Sequence, residues 1–230
     1  MTQFRNSLAA VPLLRSVDPD ELRRLEARCT WRRVSAREWV LDHQASGTDT
    51  FFLLRGIVRV SVSAAGRETI LRDIRAGEFF GELAALDGRP RSAGIMAVTD
   101  AVLASMPAGV FREVIHRYPD VCDQVLACLV REIRTLANRT NETAGLSLKP
   151  RLWAELLRLA RPASAGGPGM VVSPPPTHAE LAARVSGHRE AVTRELGALE
   201  RAGLIERRRG AIVLADAPRL HRMVEAAAQG

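Results

Sequence analysis

The sequence is poor in the residues and segments that define several protein classes. It has three cysteines, Cys29, Cys122 and Cys128, and no CxxC pair, which argues against a disulfide scaffold, a zinc finger and a cysteine-bound iron–sulfur cluster. No apolar run approaches the roughly 20 residues of a membrane span, and the N-terminal residues lead into no signal-peptide core. We therefore expect a cytoplasmic protein that needs neither a membrane nor a metal ion.

The patterns that an enzyme requires are also missing. The chain contains no nucleophile–base arrangement, no cluster with metal-ligand spacing and no P-loop, so catalysis is the least favoured function. What the chain does have is positive charge, with a formal net charge of +7 in 230 residues. Residues 147–230 hold 13 Lys and Arg against 8 Asp and Glu, a surplus of 5. This excess favours a polyanionic partner for the C-terminal third.

Three blocks follow one another along the chain, and together they predict an α+β protein. Residues 1–118 predict short helices followed by an antiparallel β sandwich or jelly roll, because many short strands alternate with turns. Residues 119–146 predict a long helix and a hinge, and residues 147–230 a second domain. The strand candidates are Phe51–Val62 around a turn at Gly56, Thr69–Leu71, Ala97–Thr99 and Ala101–Ala104.

The long helix is predicted from Asp120 to Thr143, just after Pro119. Two interpretations of its apolar stripe stay open: packing on its own domain, or the seam of a parallel coiled-coil dimer. Roughly 24 residues would reach about 36 Å, longer than a small domain usually covers, which favours the dimer. The stripe consists of Val121, Val125, Leu129, Ile133, Leu136 and Thr140.

The segment from Gly77 to Ala93 combines residues that suit an anionic ligand. A glycine turn before a short helix lets main-chain N–H groups approach an anion. Arg91 can place a bidentate guanidinium on a phosphate. Glu82 is a carboxylate beside that anion site, where a hydrogen bond from a ribose hydroxyl would explain its presence.

This segment resembles the phosphate-binding cassette of cyclic-nucleotide-binding domains, through Phe80-Gly81-Glu82-Leu83-Ala84 and Arg91-Ser92-Ala93. The resemblance implies that Glu82 binds the ribose 2′-OH and that Arg91 and Ser92 bind the cyclic phosphate. The alternative is a cassette that binds nothing, with Glu82 and Arg91 as a structural ion pair. By the same resemblance, the remaining contacts are Gly81 and Leu83 against the sugar, and Val60 and Leu71 against the base.

A winged helix-turn-helix is predicted from Thr177 onwards. Two amphipathic helices end near Glu200, and a hairpin follows around Arg207-Arg208-Arg209-Gly210, whose arginines are expected to touch DNA phosphates. On the second helix, arginine can bind guanine and glutamate can accept from cytosine in the major groove. The residues expected to read DNA there are His188, Arg189, Glu190, Thr193 and Arg194.

Nearly the whole chain resembles the cyclic-AMP receptor protein branch of the Crp/Fnr transcription regulators. The Arg-Glu-x-x-x-Arg recognition motif of that branch matches Arg189 to Arg194 and implies half-sites close to TGTGA. Two departures stand out. The adenine-contacting Thr-Ser pair of the family falls on Leu136-Ala137, and the glycine of the helix turn falls on Ser186, with Gly187 one place later.

These observations predict a homodimeric transcription regulator that binds cyclic AMP against the long helix and a palindromic operator. Ligand binding is expected to change the geometry around Gly145-Leu146-Ser147, and RNA polymerase is a possible partner. A regulator that senses cyclic GMP, another effector or no ligand is the alternative. A cyclic-nucleotide-binding subunit that acts on a protein partner is the remote alternative.

Overall fold

The structure, a computed structural model, describes residues 7–64, 66–163 and 169–229, with no side-chain description at Ala64. Runs of antiparallel strands are separated from runs of helices along the chain, which is the α+β pattern that the sequence predicts. The chain divides into two compact units, residues 1–64 with 70–132 and residues 65–69 with 133–230. The N-terminal residues 1–6 and parts of the predicted turns at 64–67 and 163–169 lie outside the described residues.

The first unit begins with short helices, as the sequence predicts. Asp18 caps the first α-helix, because its side chain accepts hydrogen bonds from the backbone N–H groups of Asp20 and Glu21. Val110, Phe111 and Val114 of a later helix are buried among the apolar side chains of this region. The elements are two 3₁₀ turns at Leu8–Ala10 and Pro12–Leu14, α1 Pro19–Ala27, α2 Glu82–Asp87 and α3 Ala108–Arg117.

Eight strands form two four-stranded antiparallel sheets, in the orders β1-β8-β3-β6 and β2-β7-β4-β5. Apolar side chains from both sheets, among them Leu53 and Val58, form one core between them, and this confirms the predicted jelly roll. The strands are β1 Thr30–Val34, β2 Trp39–Leu41, β3 Thr50–Arg55, β4 Ile57–Ala64, β5 Arg67–Arg75, β6 Phe79–Phe80, β7 Gly94–Ala97 and β8 Ala101–Met106.

One strand prediction is wrong at its end. Val98 and Thr99 lie outside β7, because the N–H groups of both donate to the carbonyl of Ile57, over 2.8 and 3.4 Å. These bonds close a turn beside Gly56, whose φ of 92° lies in the left-handed region. The glycine between β3 and β4 is therefore required by the backbone.

The long helix α4 spans Pro119–Gly145, two residues longer at its C-terminal end than predicted. Its apolar residues occupy two faces. Val121 and Val125 are buried in the core of the first unit, so these two members of the predicted stripe serve their own domain. A neighbouring face carries apolar side chains that are 46–66% exposed, namely Leu126, Val130, Ile133 and Leu136.

The second unit contains the predicted helix-turn-helix and hairpin. Thr177 and Glu180 form a capping box at the start of the first helix of the helix-turn-helix. The hairpin belongs to a four-stranded sheet in the order β11-β12-β10-β9. The elements are α5 Leu148–Leu159, β9 Arg161–Pro162, β10 Met170–Val172, α6 His178–Arg184, α7 Arg189–Arg201, β11 Ile205–Arg208, β12 Ala211–Leu214 and α8 Ala217–Gln229. No helix within residues 7–64, 66–163 and 169–229 has the length and apolar character needed to cross a membrane.

Candidate functional site

The turn between β6 and α2 brings Gly81 against Arg91. Gly81 has a φ of 81° and its carbonyl accepts a hydrogen bond from Nη1 of Arg91 over 3.0 Å. A Cβ at this position would lie 2.8 Å from that nitrogen and 2.9 Å from the carbonyl oxygen of Asp49. Only glycine therefore fits both the backbone conformation and the space beside Arg91.

Arg91 is held as a buried cation with spare hydrogen-bonding capacity. It is only 3% exposed, and its guanidinium lies 5.5 Å from the centre of the Phe51 ring. Its Nε has no hydrogen-bond partner among the described residues. Burial lowers the pKa of Arg91, while the nearby charges of Asp49 and Glu82 act in the opposite direction. A buried guanidinium with an open donor is well suited to an anionic ligand.

Glu82, the first residue of α2, is 8% exposed and carries a titratable carboxyl group. Burial raises its pKa, and a hydrogen bond from the Glu82 backbone and the charge of Arg72 act against that rise. Within the described part of the chain, Glu82 and Arg91 form no ion pair. The structure therefore does not contain the structural Glu82–Arg91 ion pair of the alternative interpretation. The carboxylate oxygens of Glu82 can accept hydrogen bonds from another partner.

Two residues beside Glu82 were missed by sequence reasoning. Nη1 of Arg72 on β5 donates to Oε1 of Glu132 on α4 over 2.9 Å, and both charges influence the pKa of Glu82. Side chains alternate along a strand, so Arg72 shares a face with the buried Ile74. The alternation of side chains along β5 could have indicated from the sequence that Arg72 faces the same side as Ile74. The partner on α4 could not be identified without the tertiary structure.

The other residues predicted to contact the ligand differ from one another in burial and in the strand face that they occupy. Val60 on β4 packs against the core between the sheets, whereas Leu71 lies on the opposite face of β5 from Arg72 and Ile74. The contact of Val60 and Leu71 with a base stays a prediction. Leu83 and Ser92 are exposed. The described residues contain no group of three or more His, Cys, Asp or Glu side chains that could hold a metal ion.

The turn between α6 and α7 has a serine at the position where the family pattern has glycine. Ser186, at the position where the family pattern has glycine, adopts a φ of 50°. Gly187 follows, its N–H donates to the carbonyl of Ala182 over 2.9 Å, and a Cβ there would overlap the side chain of Leu148. Residue 186 therefore has the left-handed backbone conformation although it is a serine. Gly187 has no side chain, and this allows the turn to pack closely against α5.

The second helix, α7, presents charged side chains on one face. Val192, Leu196 and Leu199 of α7 are buried, whereas Arg189, Glu190 and Arg194 are exposed. None of these three charged residues forms an ion pair in the part of the chain that the structure describes. Their charged groups are thus available to an external partner.

Thr193 and His188 have more local roles on the same helix. His188 is the N-cap residue of α7 and makes no side-chain capping bond. The Thr193 hydroxyl donates to the carbonyl of Arg189 over 2.9 Å and lies 2.7 Å from Nδ1 of His178. The predicted base contact from Thr193 therefore competes with contacts inside the domain.

The three wing arginines differ in their partners. Nε of Arg207 donates to Oε2 of Glu200 over 2.9 Å, and this hydrogen bond lowers the pKa of Glu200. Arg208 donates to both carboxylate oxygens of Glu206 over 2.9 and 2.7 Å. Arg209, at the tip between β11 and β12, has no ion-pair partner among residues 7–64, 66–163 and 169–229. Arg209 is the wing cation most free to meet a phosphate.

Comparison with known families identifies both halves of the chain. The cyclic nucleotide-binding domain family matches residues 31–118, which contain the jelly roll and the Gly81–Arg91 cassette. The Crp-like helix-turn-helix domain family matches residues 150–223, which contain most of α5, the elements from β9 to β12 and the start of α8. The combination of a ligand-binding domain with a helix-turn-helix is that of a transcription regulator and not of an enzyme.

Similar proteins agree with this assignment. The chain is 37% identical to the transcriptional regulator SdrP of Thermus thermophilus over 180 residues, which cover 77% of this chain and 85% of that protein. It is 31% identical to the cAMP-activated global transcriptional regulator CRP of Escherichia coli, over 72% of this chain and 80% of that protein. The solved structure of CooA from Carboxydothermus hydrogenoformans has the same fold, with a TM-score of 0.80, 18% identity and coverage of 94% of this chain and 95% of that one.

Proposed function

The chain belongs to the Crp/Fnr family of transcription regulators, and from that premise we propose that it binds cyclic AMP and reads a palindromic operator as a homodimer. A cyclic nucleotide is the ligand class that the matching family implies, and DNA is the partner class. The choice of cyclic AMP, the dimer and the operator symmetry are the proposal. The proposal also includes a cytoplasmic location. It further includes a division of the chain into a ligand-binding domain at residues 1–118, a dimerisation helix with its hinge at 119–146 and a DNA-binding domain at 147–230.

The residues of the cassette fit a cyclic nucleotide chemically. Arg91 would hold the cyclic phosphate through charge-assisted hydrogen bonds, with Ser92 as an exposed neighbour. Glu82 would accept a hydrogen bond from the ribose 2′-OH. Gly81 keeps the main chain close to Arg91, since any larger residue would displace the guanidinium.

One observation carries the ligand proposal. The guanidinium of Arg91 is buried, yet its Nε has no hydrogen-bond partner among the described residues. Leaving a buried charged donor unsatisfied costs about 1–3 kcal/mol or more, so such groups are usually kept for a function. A phosphate oxygen would supply the acceptor that this guanidinium lacks.

The dimer is proposed on the exposed apolar face of α4. Leu126, Val130 and Ile133 follow spacings of four and three, the pattern of a coiled-coil seam. Large apolar side chains in such a row on the surface mark an interaction site. The seam therefore replaces the predicted Val125 and Leu129 by Leu126 and Val130, because Val125 is already buried in its own unit.

Cyclic nucleotide binding can be tested by calorimetric titration of the full chain with cyclic AMP and cyclic GMP. We expect binding in the parent protein and a loss of at least tenfold in affinity for Arg91→Leu, since each hydrogen bond to a charged group contributes about 1.5–3 kcal/mol. Glu82→Ala should also weaken binding. Arg33→Leu, the same change at an exposed arginine, is the matched control and should leave the affinity unchanged.

The comparison of the two nucleotides separates the alternatives. Tighter binding of cyclic GMP would change the effector and leave the site assignment intact. Equal affinity of the parent and Arg91→Leu for both nucleotides would contradict the cassette assignment. An electrophoretic shift of inverted-repeat DNA, with and without nucleotide, then decides between a DNA-binding regulator and a subunit that acts on a protein partner.

A further inference from the structure

A fully buried carboxylate in the second unit holds three guanidinium groups from three helices. Nη2 of Arg139 on α4 donates to both carboxylate oxygens of Glu155 on α5, over 3.0 and 2.9 Å. Nε of Arg158 donates to Oε2 of Glu155 over 2.9 Å, and Nη1 of Arg184 on α6 lies 3.6 Å from Oε1. Removing a partner from a buried ion pair is strongly destabilising, so this cluster fixes the three helices together.

A second link joins α4 and α5 one turn further on. Arg158 donates from Nη1 and Nη2 to the two carboxylate oxygens of Glu142, over 2.6 and 2.9 Å. This fork-to-fork geometry is the most directional ion pair available to side chains. The pKa of Arg158 is raised, because the hydrogen bonds and charges of Glu142 and Glu155 outweigh the effect of burial, which acts to lower it. The two links span Gly145, Leu146 and Ser147, the residues expected from sequence to act as a hinge.

The opposite side of α5 contacts the DNA-reading helix. Nε1 of Trp153 donates to Oε1 of the buried Glu195 on α7 over 2.8 Å, and Nζ of Lys149 lies 3.7 Å from Oε2 of the same residue. Leu148 packs against Gly187 in the turn before α7. α5 is therefore tied to α4 and α6 through Glu155, to the turn through Leu148, and to α7 through Trp153 and Lys149.

We infer that Arg139, Glu142, Glu155 and Arg158 are positioning residues that set the spacing of the two DNA half-sites. This inference rests on the proposed homodimer and its palindromic operator. The seam residues Ile133 and Leu136 lie on the same helix as Arg139 and Glu142, less than three turns away. A rigid connection from the seam through α5 to α7 holds each recognition helix at one distance and rotation from the two-fold axis.

The consequence for DNA is a strict spacing requirement. One inserted base pair moves a half-site by about 3.4 Å and rotates it by about 34–36° around the duplex. A protein whose recognition helices are fixed relative to the seam cannot follow that change. A protein with a loose hinge at residues 145–147 could follow it at little cost.

The experiment measures binding of the full-length protein to inverted repeats with the optimal spacing and with one base pair added or removed. We expect the parent to prefer the optimal spacing by at least tenfold. In Glu142→Gln and in Glu155→Gln this preference should fall below about threefold, while discrimination between a consensus and a mutated half-site is retained. Glu225→Gln makes the same change at an exposed carboxylate of α8, 3.3 Å from Nε2 of His221 and outside the Glu155 cluster, and serves as the control with the preference of the parent.

Each outcome decides between the proposals. Full spacing preference in a folded Glu142→Gln protein would overturn the inference and leave the proposed function standing. Loss of half-site discrimination together with spacing preference would also overturn it, since the contacts would then hold the fold of the helix-turn-helix. A parent indifferent to spacing would overturn the inference, because a loose hinge follows the changed spacing. A parent that binds a single half-site as tightly as the inverted repeat would overturn the palindromic dimer itself. If Glu155→Gln does not fold, Glu142→Gln, whose side chain is 17% exposed where that of Glu155 is fully buried, still decides.

Discussion

Nη1 of Arg91 donates a hydrogen bond to the carbonyl of Gly81 over 3.0 Å, and the same nitrogen occupies the space that a side chain at residue 81 would need. The backbone conformation of the cassette and the position of its cation thus depend on one another. The absence of a side chain at residue 81 is as important to the proposed ligand site as the presence of the guanidinium.

Gly81→Ala should therefore weaken both the fold and the ligand site. A non-glycine residue in a left-handed conformation costs about 1–3 kcal/mol, and the new methyl group would also displace Arg91. We expect a lower free energy of unfolding in urea and a loss of cyclic nucleotide affinity by calorimetry.

Gly88→Ala provides a matched control for this change. Gly88 has a φ of 71°, similar to Gly81, but nothing lies within 4 Å of a Cβ placed there. Its substitution should cost stability through backbone strain alone and leave ligand affinity unchanged. Equal effects of the two substitutions on ligand affinity would contradict the close approach of Arg91 to Gly81.

A charge on the exposed face of α4 should dissociate the proposed dimer. Ile133→Glu and Leu126→Glu would each bury like charges opposite one another across the seam, without partners. We expect either variant to sediment as a monomer at micromolar concentration, where the parent sediments as a dimer.

Asn138→Glu is the control for the seam, since it adds the same charge five residues after Ile133, about 140° around the helix. This variant should remain a dimer. Dissociation of Asn138→Glu to the same extent, or a parent that is itself monomeric, would contradict the assigned seam.

The wing arginines should differ in how they affect binding to DNA. Arg209 has no ion-pair partner in the described part of the chain, whereas Arg207 is paired with Glu200. Each phosphate contact contributes about 0.9 to the slope of log K against log salt concentration. We expect Arg209→Ala to reduce this slope by about 0.9 and Arg207→Ala to reduce it by less, in filter-binding titrations at several salt concentrations.

Arg189→Ala should act differently from both wing variants. It should cost about 1–3 kcal/mol of specific binding and relax the preference at one base pair per half-site, because a guanine contact is lost. Selection of binding sites from a random pool checks this. A changed consensus for Arg209→Ala together with an unchanged one for Arg189→Ala would reverse the assigned roles.

The buried carboxyl of Glu82 should make stability depend on pH. Burial raises its pKa above the ordinary value of 4.5, so the folded protein holds this proton at pH values where the unfolded chain has released it. The stabilising contribution is complete below about pH 4.5 and is lost as the pH rises through the higher pKa of the folded state. Relative to the parent, Glu82→Gln should therefore become progressively more stable as the pH rises above 4.5.

Urea unfolding between pH 4 and pH 8 measures this difference. Glu68→Gln, at an exposed carboxylate on β5, is the control and should follow the parent curve. Parallel curves for the parent and Glu82→Gln would show that the Glu82 carboxyl titrates normally in the folded protein.

Local patterns in the sequence determined much of this protein. The helix start at Thr177, the alternating strands around Gly56 and the Gly81–Arg91 motif each depend on residues about ten positions apart or fewer. Backbone preferences and short-range hydrogen bonds act over that distance, so the jelly roll, the long helix and the helix-turn-helix could all be predicted.

Only the tertiary structure decided which of several similar residues face which neighbour. The apolar residues of α4 fit two faces equally well on a helical wheel, and burial of Val125 in its own unit left Leu126 to the surface. Arg72 forms an ion pair with Glu132, which lies 60 positions later in the sequence. Glu155 forms ion pairs with guanidinium groups of α4 and α6. Charged side chains carry no periodic signal for a distant partner, because ion pairs form only after the backbone has brought the charges together.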